Sequence, residues 1–262
     1  MAGSEIIALR NGQVLVVTFN RPEKGNSLTL DMAGQLFNVL KNATTDRSVR
    51  CVLLNGAGGQ FMNGLDMDVY KGDMNTALER SNQIIASYHS AVREIQVMDK
   101  PVLAAVEGNV EGPGMSFMLA SDLVIAAKST RFNCKFTDYA MSPDGACSYF
   151  LPRKVGLGRA VELMMLSREF DTETALSLGL VNRIVDDSAL RDEAMHWAME
   201  LAEGPTKAYG AVKKLAMKAF DGEFNSHLGL EHTYFGQCSR SFDFREYLIA
   251  RNAGRQAKFS GT

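Results

Sequence analysis

The chain has 262 residues, 46% hydrophobic and 22% charged, which is enough apolar material for a substantial core and argues against disorder as the default. A formal net charge of −2 with no standout Lys/Arg run offers polyanions no attraction, so no nucleic-acid partner is expected. The four cysteines, Cys51, Cys134, Cys147 and Cys238, form no C-x-x-C pair, which points away from a zinc site or a disulfide framework and fits a reducing cytoplasm.

In chain order, Ile6 to Arg10 and Val14 to Asn20 read as strands, with Asn11-Gly12 between them as a hairpin signal. Leu30 to Leu40 carries apolar residues at helical spacing, Cys51 to Leu54 is a short apolar strand, and a long helix is predicted over Thr76 to Val97. Pro101 to Val106 is a further strand, and strand, helix, strand implies parallel pairing. Met115 to Ser121 reads as a short buried helix, followed by strands over Leu123 to Ala127 and Thr130 to Asn133.

From Arg159 helices dominate: Arg159 to Leu166, an Asp171-capped helix to Leu178, Ala189 to Ala202, and Thr206 to Phe220, with Gly204 and Pro205 as punctuation. Phe224 to Ala257 reads as amphipathic helix broken by polar residues around Ser239 to Asp243. No stretch approaches the roughly twenty apolar residues of a membrane span, and none of the N-terminus reads as a signal peptide. The mature chain is therefore expected to begin near Met1, in the cytoplasm and without a membrane partner. No low-complexity linker separates a second independent domain.

Three segments carry candidate chemistry. Gly108-Asn109-Val110-Glu111-Gly112-Pro113-Gly114 follows a strand and opens a helix, where free backbone N–H groups can meet an anion. It lacks the Gly-Lys-Ser/Thr ending of a nucleotide-binding loop, and it reads equally as a tight turn. A second glycine-rich loop, Gly56 to Asp66, also follows a strand, and two such loops could direct two backbone donors at one carbonyl oxygen. They read as well as two ordinary surface loops.

Ser142-Pro143-Asp144-Gly145 puts a carboxylate in a tight turn, although Asp144 could equally cap a helix. His89, His196, His227 and His232 show no metal-ligand spacing, and no Gly-x-Ser-x-Gly elbow is present.

Taken together, these segments resemble the crotonase superfamily, also called the enoyl-CoA hydratase/isomerase family, nearly end to end. The matching pieces are Phe19 to Ser27, Val49 to Leu54, Phe61 to Asp66, Lys100 to Val106, Gly112 to Asp122, Arg159 to Met164, Ala175 to Asn182 and the tail Phe259-Ser260-Gly261. The resemblance implies an α/β fold: a spiral of repeated β-β-α units, residues 1–203, carrying a coenzyme A thioester site. A helical C-terminal region, residues 204–262, would cover the site or mediate trimer contacts, in a homotrimer or dimer of trimers.

The resemblance also implies an acyl-CoA thioester as substrate, with coenzyme A entering as part of it and no permanently bound cofactor. The thioester oxygen would sit between two backbone N–H groups, which map to Leu65 and the middle of Gly112-Pro113-Gly114. There the sequence departs from the family, because proline at 113 has no N–H; either Gly114 substitutes or the site is unusual. The two glutamates with which hydratases add water map to Ser116 and Phe136, neither of which ionises.

Asp144 falls where related isomerases carry a single acid/base carboxylate. The leading expectation is therefore a 3-enoyl-CoA to 2-enoyl-CoA isomerase, with Asp144 moving the proton and Phe136 excluding water. Met62, Met67, Met115 and Met118 are candidates for an acyl pocket, and Lys24, Asn63, Gly64 and Asp66 for contacts with coenzyme A, joined by Arg255 or Lys258 of the tail. The rivals are a hydratase, a 4-chlorobenzoyl-CoA dehalogenase-like enzyme in which Asp144 attacks and His89 activates water, and a catalytically weakened acyl-CoA-binding protein.

Overall fold

The strands form the frame of the molecule. In the computed structural model, which describes residues 3–262, β1 (Ile6–Asn11) and β2 (Val14–Phe19) make an antiparallel hairpin with Asn11 opposite Val14. Gly12 takes the first position of the two-residue turn at a φ of 59°, a conformation that glycine adopts without steric cost. Met1, the expected start of the mature chain, lies outside the described residues.

After the hairpin the strands come in pairs: β3 (Cys51–Gly56) with β4 (Met62–Asn63), β5 (Val102–Val106) with β6 (Asn109–Glu111), and β7 (Leu123–Ala127) with β8 (Arg131–Asn133). Two more follow, β9 (Phe170–Asp171) and β10 (Arg183–Val185). The first member of each pair joins a six-stranded sheet ordered β1-β2-β3-β5-β7-β10, and the second joins a four-stranded sheet ordered β4-β6-β8-β9. Pairing is parallel throughout except for β1 with β2 and β8 with β9. This is the β-β-α spiral that the resemblance implied.

The helices are α1 (Leu30–Thr45), α2 (Met74–Val97), α3 (Pro113–Ala120), α4 (Cys147–Val155), α5 (Leu157–Leu166), α6 (Thr172–Ser177), α7 (Leu190–Glu203), α8 (Thr206–Lys218), α9 (Phe224–Ser239) and α10 (Phe242–Asn252). Side-chain oxygens of Thr29, Asp73, Asp171 and Ser241 accept backbone N–H groups at the starts of α1, α2, α6 and α10.

Period-two alternation divides the core. Val17, Phe19, Val52, Leu54, Ala104 and Val106 face α1, α2 and α3, whereas Val14, Cys51, Leu53, Leu103 and Ile125 face Leu190, Ala194 and Trp197 of α7.

Three departures from the sequence reading have physical causes. Asn109–Glu111, read as loop, is strand β6, because the parallel ladder from β4 and β8 outweighs a local sequence that looks like a turn. Helix α4 was not anticipated, since Pro152 lies inside it; that proline stands near the helix end, one turn before its C-cap Gly156. Helix α3 starts at Pro113 rather than Met115, because the first turn of a helix leaves its N–H groups unpaired and tolerates proline there.

The C-terminal helices differ in their attachment. Helix α8 is fastened to the core by the Lys213 ammonium, which meets Asp122 Oδ2 at 2.8 Å, and by Thr206, whose hydroxyl accepts from Arg50 Nε at 3.0 Å. Helix α9 contains no buried residue, and Phe224 and Phe235 are each 75% exposed.

Candidate active site

The two glycine-rich segments are brought together by strand register. Parallel pairing sets Met62 opposite Val110 and Asn63 opposite Glu111, so the chain leaving β4 at Gly64-Leu65 lies beside the chain leaving β6 at Gly112-Pro113. The approach is close: a Cβ built on Gly112 would stand 3.7 Å from Gly64 Cα, and one on Gly114 would stand 2.6 Å from the Met62 carbonyl oxygen. Gly112 also has a φ of 48° and a ψ of −114°, a backbone conformation that side chains other than glycine rarely adopt.

A narrow cleft opens where these segments meet. Gly64, Leu65, Gly112, Pro113, Phe136 and Asp144 all line it. Leu65 N–H has no acceptor among the described residues, whereas the neighbouring Asp66 N–H is taken by the Leu28 carbonyl. On the opposite wall Gly112 N–H is held by the Asn133 carbonyl at 3.2 Å, and Pro113 has none to give.

Gly114, the residue that could have substituted, does not line the cleft. The expected pair of donors is thus reduced to one on the cleft wall, Leu65. That corrects the expectation of donation from Gly112, whose N–H is already bound, and from Gly114, which is absent from the cleft lining.

Asp144 occupies the turn before α4. Its main-chain carbonyl accepts from Cys147 N at 2.9 Å and from Ser116 Oγ at 3.0 Å, while Oδ1 is buried with no hydrogen-bond partner among the described residues. The carboxylate therefore caps no helix. Burial pushes its pKa up to about 6, into the range useful for a base near neutral pH. Gly145 permits this arrangement: at a φ of 56° it lies so close to the Tyr88 hydroxyl that an added Cβ would fall 1.8 Å from the oxygen.

His89 is placed otherwise than a water-activating base requires. It is exposed, it is absent from the cleft lining, and its Nε2 accepts Gly145 N–H at 3.2 Å. Burial of part of the ring and the nearby Arg93 charge lower its pKa, which keeps that nitrogen available as an acceptor. The imidazole thus braces the Asp144 turn from behind.

The remaining candidates separate in the same way. Phe136 lines the cleft, but Met115 is buried in the core, as are Met62 and Met118; of the four methionines only Met67 lines the wall. Helix α3 is buried on every side, so spacing along it carried no information about which residues face the cleft. Asp66 is committed to Arg21 at 2.9 Å, a pair that ties the turn after β2 to the second loop. Lys24 is half exposed with Nζ 3.6 Å from Asp68, and the Asn63 side chain is exposed. In the tail, Arg255 pairs with Glu246 at 2.6 Å.

The sequence reading missed Tyr70, Ser81, Ile84, Ile85, Tyr88, Lys135, Tyr139 and Met141 on the cleft wall. A signal existed for four of them, because Ser81, Ile84, Ile85 and Tyr88 recur on α2 at the spacing of one helix face. That face reads as ordinary core until the partner segments are known.

The family model for enoyl-CoA hydratase/isomerase matches residues 10–262. The chain belongs to this family. Among its curated members, the 1,2-epoxyphenylacetyl-CoA isomerase of Escherichia coli strain K12 is 35% identical over 249 residues, covering 95% of each chain. The 4-chlorobenzoyl coenzyme A dehalogenase-2 of an Arthrobacter species is 28% identical over 201 residues, covering 76% of this chain and 73% of that one. The crystal structure of an enoyl-CoA hydratase from Polaromonas sp. JS666 superposes with a TM-score of 0.92 at 28% identity, covering 97% of this chain and 99% of the other. The family is therefore shared by enzymes with different named reactions. No described helix is long and apolar enough to cross a membrane.

Proposed function

We propose that this family member shifts a double bond within an acyl-CoA thioester, converting a 3-enoyl-CoA to the conjugated 2-enoyl-CoA with Asp144 as the acid/base. One observation carries the reading: Asp144 supplies the only carboxylate on the cleft wall among the described residues. An isomerase of this kind needs only one. Asp144 takes a proton from the α-carbon, the electron pair is delocalised onto the thioester oxygen, and the same proton returns at the γ-carbon as the double bond moves into conjugation. No atom is gained or lost, and no permanently bound cofactor is required.

Leu65 N–H would hold the oxygen as negative charge develops, and Phe136 would keep water from the dienolate. Hydration is less well supported, because the positions of the two hydratase glutamates hold Ser116 and Phe136. The dehalogenase-like reading needs a base that reaches water at Asp144, and His89 Nε2 is engaged elsewhere.

The test is incubation of the purified protein with a medium-chain 3-enoyl-CoA, the matching 2-enoyl-CoA and 4-chlorobenzoyl-CoA, with Asp144→Asn as control. Conversion of the 3-enoyl thioester alone, lost in the variant while thioester binding is retained, is the expected outcome. Hydration of the 2-enoyl thioester or release of chloride would overturn the isomerase reading. No turnover with any of them would favour an acyl-CoA-binding protein.

We also propose that the protein acts in the cytoplasm as a homotrimer or dimer of trimers, with residues 204–262 covering the site or forming subunit contacts. The support is the exposed apolar surface of α9 and α10, including Phe224, Phe235 and Phe242. Light scattering that gave a monomer would reject the assembly.

A further inference from the structure

The far wall of the cleft carries two hydroxyl groups for which the mechanism above has no use. Tyr70 ends the short 3-10 turn Met67–Tyr70, and Ser81 is a buried residue of α2; their oxygens are 2.8 Å apart, and either can donate. Both line the cleft among Leu28, Met67, Ile84 and Ile85.

Counting protons shows what is left over. Two hydroxyls have two protons, and their mutual bond uses one. The other is left facing a thioether at best, since Tyr70 Oη is 3.9 Å from Met141 Sδ, a weak acceptor. Oxygen lone pairs are also left over. An all-hydrocarbon acyl chain packed against this pair would strip its water and return no hydrogen bond, which is costly for buried polar groups.

The position of the pair fixes which part of a substrate it would meet. Tyr88, at the reacting end, touches the Gly145 turn and has its hydroxyl 3.5 Å from the Pro113 carbonyl oxygen. Ser81 lies seven positions earlier on the same helix, about 10 Å along its axis. A thioester held at Leu65 with its α-carbon at Asp144 would bring the distal part of a medium-length acyl group to Tyr70 and Ser81.

We infer that Tyr70 and Ser81 form a specificity device that selects acyl groups carrying an oxygen, as hydroxyl or carbonyl, toward their far end. The inference rests on the reading of the cleft as an acyl-CoA site. A hydroxyl can take a proton from the pair and return one, and a carbonyl can accept the spare proton. A plain alkyl chain does neither.

The experiment uses binding, so that it does not depend on turnover. Saturated, unreactive thioesters are compared by calorimetry in pairs: hexanoyl-CoA with 6-hydroxyhexanoyl-CoA, and octanoyl-CoA with 8-hydroxyoctanoyl-CoA. The wild-type protein is expected to prefer the hydroxylated partner of at least one pair by about tenfold, each tenfold being about 1.4 kcal/mol. In Tyr70→Phe and Ser81→Ala that preference is expected to collapse or reverse, while Asp144→Asn retains it.

A wild type that binds the plain chain more tightly in both pairs overturns the inference. So does a preference that survives both hydroxyl deletions. A failure of the isomerase reading would show differently, as absent 3-enoyl turnover with the binding preference intact.

Discussion

The two glycine-rich segments that meet at the cleft have the same construction and opposite contents. Each continues from a short strand of the four-stranded sheet, and parallel pairing of β4 with β6 sets their ends side by side. The first leaves Leu65 N–H free, whereas the second has Gly112 N–H bound to Asn133 and proline at the next position. The difference separates two things that are easily merged. Strand register sets the two segments side by side, and the residue at one position decides whether a backbone donor faces the cleft. On the proposed reading, one silent wall leaves more of the barrier to Asp144, whose pKa burial moves toward neutral pH.

The comparison can be broken at its most sensitive point by removing the one carboxylate on the cleft wall among the described residues. Asp144→Asn is expected to lower kcat for 3-enoyl-CoA by at least about 10²-fold and up to about 10⁴-fold, with thioester affinity retained. A variant that kept most of its turnover would mean that another group moves the proton.

The comparison is sharpened by giving the silent wall a donor. Pro113→Gly should raise kcat by a factor approaching about 10², the inverse of the loss usual when one oxyanion donor is removed. An unchanged kcat in a folded variant would show that the thioester oxygen does not rest against this wall.

The pH dependence gives a smaller and more graded effect. On the proposed reading ionised Asp144 acts as the base, so kcat/KM is expected to fall as pH drops through about 6. The same shift has a consequence for stability. A carboxyl whose folded pKa lies above its ordinary value favours folding only while protonated, and that contribution disappears as pH rises through about 6. Asp144→Asn should therefore be more stable than wild type at pH 7, by at most about 3 kcal/mol, with little of that gain at pH 4. An equal gain at both pH values would trace the effect to packing instead.

The smallest effect is expected at His89. Glutamine there can still accept Gly145 N–H, so His89→Gln should change turnover by less than about tenfold. A loss matching that of Asp144→Asn would return the imidazole to the chemistry and favour the dehalogenase-like reading.

Much of this arrangement was legible in the sequence. Alternation in Val14–Phe19 and the apolar runs of β3, β5 and β7 marked the large sheet, and helical spacing marked α1, α2 and the later helices. The Asp144 turn stands out in the sequence, the resemblance adds Leu65 and Phe136, and all three line the cleft; proline at 113 already raises the question of the second donor. Short strands such as β4, β6 and β9 were not legible, since two or three residues carry no period and exist only through their neighbours. Nor could a sequence show that Gly112 N–H is already bound to Asn133, or that a hydroxyl pair shares the cleft with Asp144, because both depend on contacts between distant segments.

Helix α9 has no buried side chain and spans 16 residues, close to the length at which an isolated helix is only marginally formed in water. Its amides should exchange with deuterium far sooner in a separated subunit than those of β3 or β5, which open only with the whole sheet. If neighbouring subunits cover it, its protection would follow protein concentration, and dilution would loosen this helix while the cleft and its strands stayed closed.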